Sequence, residues 1–474
     1  MDTKEILGYA AGSIGSAVLA VIILPLLSWY FPADDIGRIV LMQTAAGLTV
    51  SVLCLGLDQA YVREYYAAAD KDTLFKTLFL PPLLSAAAIA ALLLSRPSLP
   101  SEILFSLDDA AAGIGLVLFE LSFLPIRFLL LVLRMEGRAL AFSSAQLVSK
   151  LAILLLLLPL TVGLLHFPAN TAVLTAVYAL ANLAAAAFLL FQNRCRLKAV
   201  RRAPFSSAVL HRGLRYGIPI ALSSIAYWGL ASADRLFLKK YAGLEQLGVY
   251  SMGISFGGAA LLFQSIFSTV WTPYIFRAIE ANTPPARLSA TAESASALLA
   301  AAVCLTGIFS PLASLLLPEN YAAVRFIVVS CMLPPLFCTL VEISGIGLNV
   351  VRKTRPIALA TLGALAANLL LLGLAVPSGG ARGAAVACAA SFWLFFVFKT
   401  ESSCRLWQPL KRLPLYTHTL LCLTSSAAYT CFGTPANYPL FAGVWAVYLA
   451  GCILRHWKDL HKLFHYLKKQ GFPL

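Results

Sequence analysis

The sequence predicts an all-α polytopic membrane protein of about fourteen transmembrane helices, built as two pseudo-symmetric six-helix lobes and a C-terminal helix pair. Three observations carry that expectation. The first is composition: the chain is 60% hydrophobic and 12% charged, with mean hydropathy +0.82. That is more apolar surface than a soluble core of 474 residues could bury. The second is the length of the apolar runs, since about 20 residues of helix cross a hydrocarbon layer ~30 Å thick. The third is an uneven sharing of Lys and Arg between alternate loops.

Taken in order, runs of spanning length cover 6–31, 37–57, 75–95, 110–133, 144–165 and 171–192, then 214–237, 248–271, 291–316, 324–350, 357–377, 382–399, 415–432 and 439–455. The first is too long for the apolar part of a signal peptide and lacks a small-x-small cleavage pattern, so it reads as a retained helix. Between the sixth and seventh runs, Arg194, Arg196, Lys198, Arg201, Arg202, Arg212 and Arg215 occur without one Asp or Glu. Cationic loops resist translocation, so this stretch belongs in the cytoplasm. The same sidedness places Lys4, Arg63, Lys71, Lys76, Arg134, Arg138, Arg277, Arg287, Arg352, Lys353, Arg355, Lys399, Arg405, Lys411 and Arg412 inside, together with the basic tail. Only Arg38, Arg96, Lys239, Lys240, Arg325 and Arg382 remain outside. One span miscounted would invert every later loop and erase the bias. Both termini are therefore expected on the cytoplasmic side.

The net charge of +15 does not point to nucleic acid, because the cations are scattered over short loops where orientation and anionic lipid heads account for them. Most of the ten cysteines sit inside apolar runs, and none has CxxC spacing, so they read as small core residues. The loops assigned outside are short, which leaves no room for a catalytic domain. Trp457, Leu460, Phe464 and Leu467 recur at helical spacing in the tail, with lysines elsewhere around the helix. Such a segment should lie on the inner membrane surface.

An internal repeat sets the organisation. Asp35-Ile36-Gly37 opens the second run, which leads to Ala60-Tyr61-Val62-Arg63-Glu64-Tyr65; Gln246-Leu247-Gly248 opens the eighth, which leads to Trp271-Thr272-Pro273-Tyr274-Ile275-Phe276-Arg277. Six spans per unit give two copies of parallel topology facing one another across a cavity. The expected parts are an N-terminal lobe at 1–192, a basic linker at 193–213, a second lobe at 214–400, an extra helix pair at 401–456 and an amphipathic tail at 457–474.

The stretch Leu55-Gly56-Leu57-Asp58-Gln59-Ala60-Tyr61-Val62-Arg63-Glu64-Tyr65, and Ala233-Asp234-Arg235-Leu236-Phe237-Leu238 followed by Leu247-Gly248-Val249-Tyr250, resemble the polysaccharide flippases. These are the Wzx-type O-antigen exporters of the multidrug, oligosaccharidyl-lipid and polysaccharide exporter (MOP) superfamily, which also contains the MATE transporters. The resemblance implies two facing lobes, alternating access and a polyprenyl-diphosphate-linked oligosaccharide as cargo. It also implies polysaccharide polymerase or other assembly proteins as partners, and a side groove for the lipid tail on the last two helices. No cofactor is expected; the drive would be a proton or sodium gradient or the membrane potential, since no Walker motif is present.

Ionisable residues inside spans are then the natural candidates, because charge there is costly. Glu120, Arg127 and Arg134 share one face of the fourth span, while Ser143, Gln146 and Lys150 line the fifth. A short connection makes the two helices antiparallel neighbours, so Arg127 and Lys150 would lie at similar depth and suit a diphosphate. Alternatively, Arg127 pairs structurally with Glu120, and Lys150 snorkels to the interface. Arg63 is a further substrate or gate candidate, with helix capping as its other reading. Asp234 and Arg235 would couple or gate transport, or else hold a helix end; Glu342 would take a proton or sodium ion, or bond a neighbouring backbone. His461 and His465 have metal-pair spacing but no third ligand, and Gly8, Gly12 and Ser16 read as packing. Asp34-Asp35 resembles the acidic pair of membrane glycosyltransferases, yet its loop is too short for that chemistry. The expectation is a flippase and not an enzyme, with a cation-coupled MATE-like antiporter as the alternative, and a glycosyltransferase or polymerase behind it.

Overall fold

A computed structural model describes residues 3–161, 168–261, positions 264, 267, 271 and 275, and residues 286–351 and 353–469. Every described element is helical, and the chain forms two compact units, Met1–Ser251 and Met252–Leu474. Among the described residues each of the fourteen predicted spans falls on helix, although parts of 144–165 and 248–271 and most of the repeat segment at 271–277 lie outside the described residues.

In the first unit the long helices are α1 (Thr3–Ser28), α2 (Ala33–Cys54), α4 (Lys71–Leu94), α6 (Ala110–Met135), α7 (Ala139–Thr161), α8 (Thr171–Gln192) and α10 (Ser207–Tyr241), followed by α11 (Leu244–Gly257), which belongs to this unit as far as Ser251. Three short ones connect them: α3 (Leu57–Glu64), α5 (Leu99–Phe105) and α9 (Arg194–Arg202). Polar side chains start the helices where the sequence supplies them. Asp109 accepts from the backbone N–H groups of Ala111 and Ala112 at the head of α6, and Asn170 does the same for α8 through Val173. In lipid, helices associate by close packing more than by hydrophobic exclusion, so small residues decide who touches whom. Gly12 of α1 lies on Ser143 of α7, and Gly115 of α6 lies on Thr175 of α8.

Two features of this unit position the site. The first is a break between α2 and α3, where Leu55 and Gly56 both adopt left-handed backbone angles, φ 47° and 74°. Gly56 is required twice over: its φ disfavours any side chain, and a Cβ there would overlap the carbonyl oxygen of Gly217 on α10. The second is an aromatic core of Tyr61, Phe75, Phe79 and Phe128, with Tyr61 and Phe75 edge-on at 5.8 Å and Phe79 and Phe128 at 5.1 Å. It clamps α3 against α4 and α6.

The predicted basic loop is not a loop. Residues 194–202 form α9, and α10 begins at Ser207, ahead of the expected linker boundary. Arg196 is the fastening: it pairs with Glu136 and, at 3.5 Å, with Asp72, and lies over the ring of Tyr65. Lys76 reaches back to the carbonyl oxygens of Arg201 and Ala203 at 3.1 and 2.7 Å. At the opposite end of the unit, the two glycines of the internal repeat meet. A Cβ on Gly37 would overlap the carbonyl oxygen of Leu244, and one on Gly248 that of Ala33.

The second unit holds α12 (Ala286–Phe309), α13 (Val324–Ser344), α14 (Thr354–Leu406), α15 (Arg412–Phe432) and α16 (Tyr438–Lys469). As one straight rod, the 53 residues of α14 would reach about 80 Å, well over twice the hydrocarbon thickness. They instead fold back at Gly380, whose φ of 50° and ψ of −130° are not helical. Gly383 returns to Ala375, Ser391 bonds Asn368 at 3.2 Å, and Phe398 comes back to Gly363. The two halves are the predicted spans 357–377 and 382–399. Buried hydroxyl pairs, Ser330 with Thr430 and Ser344 with Thr400, tie α13 to α15 and α14. α16 continues helically to Lys469, which includes most of the predicted tail; the tail's side chains lie outside the described set.

Candidate functional site

A cavity of about 470 Å³ opens in the first unit between α2, α3, α6 and α10. Its polar lining is Ser51, Asp58, Gln59, Arg127 and Ser224, set among apolar side chains such as Phe123 and Ile220. Arg127 is paired, and its partner is Asp58. The guanidinium donates through Nη2 at 2.7 Å and Nε at 3.1 Å, both to Oδ2 of Asp58, and Gln59 Nε2 donates to the same oxygen at 3.0 Å. The Arg127 side chain remains 46% exposed while that of Asp58 is only 10% exposed. The cation therefore faces the open space and the anion sits behind it.

The geometry follows from the backbone. The left-handed break places Asp58 in the first turn of α3, where the helix dipole favours an anion. Clamping of α3 by the aromatic core then turns that first turn toward α6. The structural alternative, a pair between Arg127 and Glu120, is not formed. Glu120 faces a separate pocket of about 460 Å³ between α2, α4, α5 and α6, whose lining is apolar except for Thr49 and Glu120. Both Glu120 carboxylate oxygens are buried without a hydrogen bond of normal geometry, although Thr49 approaches them. Val50 of α2 faces both cavities, so α2 is the wall between the two acid and base positions.

The other candidates are dispersed. Gln146 and Lys150 lie on α7, which packs chiefly on α1 and α8 and contributes nothing to the Arg127 cavity. The predicted joint site of Arg127 and Lys150 is thus not assembled within that cavity. Arg63, at the end of α3, is exposed and lies over the ring of Tyr216 on α10, 4.1 Å from its centroid. Asp234 is buried, accepts from the hydroxyl of Tyr250, and takes the backbone N–H of Arg235 at 2.8 Å. This bond joins α10 to α11 and brings together two pieces of the motif noted in the sequence. Arg235 turns back on its own helix, to Ala231 and Ser232. In the second unit, Glu342 on α13 has Lys399 of α14 as an electrostatic neighbour.

Sequence reasoning missed Asp58 and Gln59 as site residues, although both stand in the motif. The usable signal was an acid at the end of an apolar run, which needs a cation. A second unassigned feature is a groove of about 630 Å³ between α15 and α16, walled by Leu421, Leu440, Val444, Trp445 and Tyr448. His418 Nδ1 and the Tyr448 hydroxyl hydrogen-bond at 2.6 Å across the two helices.

Fold and site together define a multi-pass, all-helical membrane protein with a polar cavity inside its helix bundle. The chain belongs to the polysaccharide biosynthesis protein family, which it matches over residues 3–279. Among solved structures it is similar to the lipid II flippase MurJ in an inward closed conformation: TM-score 0.69, 11% identity, 95% of this chain and 99% of that one covered. It also resembles multidrug resistance MATE family transporters of the MOP superfamily. The outward-facing form gives TM-score 0.55 at 15% identity, with 88% of this chain and 96% of that chain covered. The inward-facing form gives 0.56 at 14%, with 82% and 95% covered. These likenesses establish the fold. No curated protein matches the sequence significantly.

Proposed function

We propose that this chain is a flippase that carries a polyprenyl-diphosphate-linked oligosaccharide from the inner to the outer leaflet of the bacterial inner membrane. The product would serve cell-surface polysaccharide or glycan biosynthesis, O-antigen of lipopolysaccharide among them. The observation that carries this reading is the half-exposed guanidinium of Arg127 in a polar cavity, on a fold shared with a lipid II flippase. Arg–phosphate contacts are bidentate and charge-assisted, and a diphosphate cannot enter hydrocarbon unaided.

In this reading the end carrying α9 is cytoplasmic, and the two six-helix lobes of the repeat alternate their access. Arg63 and Arg134 stand on the cytoplasmic side of Arg127 and draw the anion inward, while Ser51, Gln59 and Ser224 offer hydrogen bonds to sugar. Gln146 and Lys150 join the path in another state of the cycle. The groove of α15 and α16 takes the prenyl chain, and the exposed Arg194, Lys198, Arg201 and Arg202 of α9 meet anionic lipid heads. Glu120, Asp234, Arg235 and Glu342 are the groups through which a proton or sodium gradient, or the membrane potential, would act. No catalytic role is assigned.

The second reading, a cation-coupled small-molecule antiporter, is favoured by one observation: Glu120 faces an apolar pocket. One experiment separates the two. Cells with and without the protein are assayed for polyprenyl-diphosphate glycan with an impermeant sugar-oxidising reagent, alongside Arg127→Ala and Glu120→Gln. The flippase reading expects a protected, inward-facing pool without the protein and with Arg127→Ala. A glycan that reaches the outer face normally in all strains, with accumulation of lipophilic cations in the Glu120→Gln strain, would replace it with the antiporter.

A further inference from the structure

The geometry points to Asp58 as a positioning residue that exchanges Arg127 with the cargo, an internal anion that the diphosphate must displace and that reclaims the guanidinium afterwards. This rests on the reading of Arg127 as the diphosphate ligand. Two donors of Arg127 and one of Gln59 converge on a single oxygen, Oδ2, so Arg127 Nη1 is not spent on Asp58. The Arg127 side chain is half-exposed and lines the cavity. One phosphate arriving there can take the free edge, an N–H each of Nη1 and Nη2; the second phosphate of a diphosphate gains the other two-pronged edge, Nε with Nη2, only if the bond to Asp58 is given up.

Asp58 is equipped to be left. It keeps Gln59 as a donor and stands in the first turn of α3, where the partial positive charge of the helix start persists whether or not Arg127 is near. The exchange also meets a requirement of any carrier that returns empty. A bare arginine within a span is costly, and Asp58 matches that charge whenever the cavity holds no anion. The same acid weakens cargo binding, because every binding event breaks a charge-assisted hydrogen bond. Removing its charge should thus tighten binding and hinder return, a pair of effects that a merely structural residue would not produce.

The test uses the full chain in nanodiscs with farnesyl diphosphate as probe and farnesol as its uncharged control, measured by calorimetry. Asp58→Asn should bind farnesyl diphosphate about tenfold more tightly than the parent, the factor worth one charge-assisted hydrogen bond. Arg127→Gln should lose the preference for diphosphate over farnesol, and the double variant should bind no more tightly than Arg127→Gln. In proteoliposomes with a fluorescent farnesyl diphosphate, Asp58→Asn should keep exchange between two loaded faces while net flux falls. Unchanged or weaker binding by Asp58→Asn, with preference lost in Arg127→Gln, overturns the exchange and leaves the cavity reading standing. Retained preference in Arg127→Gln overturns both. If that variant does not fold, the ratio of diphosphate to farnesol binding in Asp58→Asn decides alone.

Discussion

Replacing Gly37 or Gly248 by alanine should force α2 and α11 apart, and the two substitutions should not add. Each new methyl would fall well inside the 3.0 Å that Cβ atoms respect, against backbone oxygen and not a side chain that could swing away. To restore ordinary contact near 3.5 Å the helices must separate by roughly 1 Å, which also costs the packing of their neighbours. Overpacking of this kind typically destabilises by about 1–3 kcal/mol. Because both methyls press on the same seam, one separation accommodates both, so the double variant should lose about as much as the worse single variant. Thermal unfolding of the four proteins in one detergent measures this. A double variant whose loss equals the sum of the singles would refute the shared seam; singles within about 0.3 kcal/mol of the parent would refute the close approach itself.

Two further outcomes follow from the end carrying α9. Arg196→Ala removes the fastening of α9 to Glu136, Asp72 and Tyr65, contacts worth together about 1–3 kcal/mol, so trypsin should cut at Arg194, Lys198, Arg201 and Arg202 at least several-fold faster; unchanged cleavage would show that Lys76 alone holds the helix. Asp70 caps α4, accepting from the Thr73 hydroxyl, the N–H of Thr73 and that of Asp72, and these bonds hold its carboxyl below the usual range. A lowered folded value means that the cap is at full strength above the ordinary carboxylate range and is lost as pH falls through the lowered value. Protection of the Asp72 and Thr73 amides, their exchange relative to the intrinsic rate at the same pH, should therefore fall in acid in the parent and stay flat in Asp70→Asn, which caps without titrating; a pH step in protection that survives in Asp70→Asn assigns it to another group.

What could be read from the sequence was whatever repeats over a helix length. The apolar runs and the two spans that meet at Gly380 rest on periodicity and have structural counterparts; that Gly37 and Gly248, noted only as equivalent openings of two spans, touch each other could not be read from sequence. Asp58 escaped because its partner lies 69 residues away and because Leu55 is an unusual residue for a left-handed turn, so Gly56 alone was the local sign of the break. Glu120 and Arg127 share a helical face, as their spacing implies, yet α2 crosses between them and sends each to its own cavity. The basic stretch read as a loop because its cations outnumber its apolar residues; the helical trace was only Leu197 and Val200, three apart, which pack on the core while Arg196 reaches acids on two distant helices.

The break before Asp58 also sets a phase. An α-helix turns about 100° per residue, so a residue inserted into an unbroken helix would rotate every later side chain away from its target. Here the chain is re-zeroed at Gly56, where backbone meets backbone at Gly217. Asp58 lies two residues beyond that fixed point, and its direction is inherited from it and not from the 22 residues of α2. The acid that meets Arg127 thereby keeps its aim whatever the helical phase in which α2 ends.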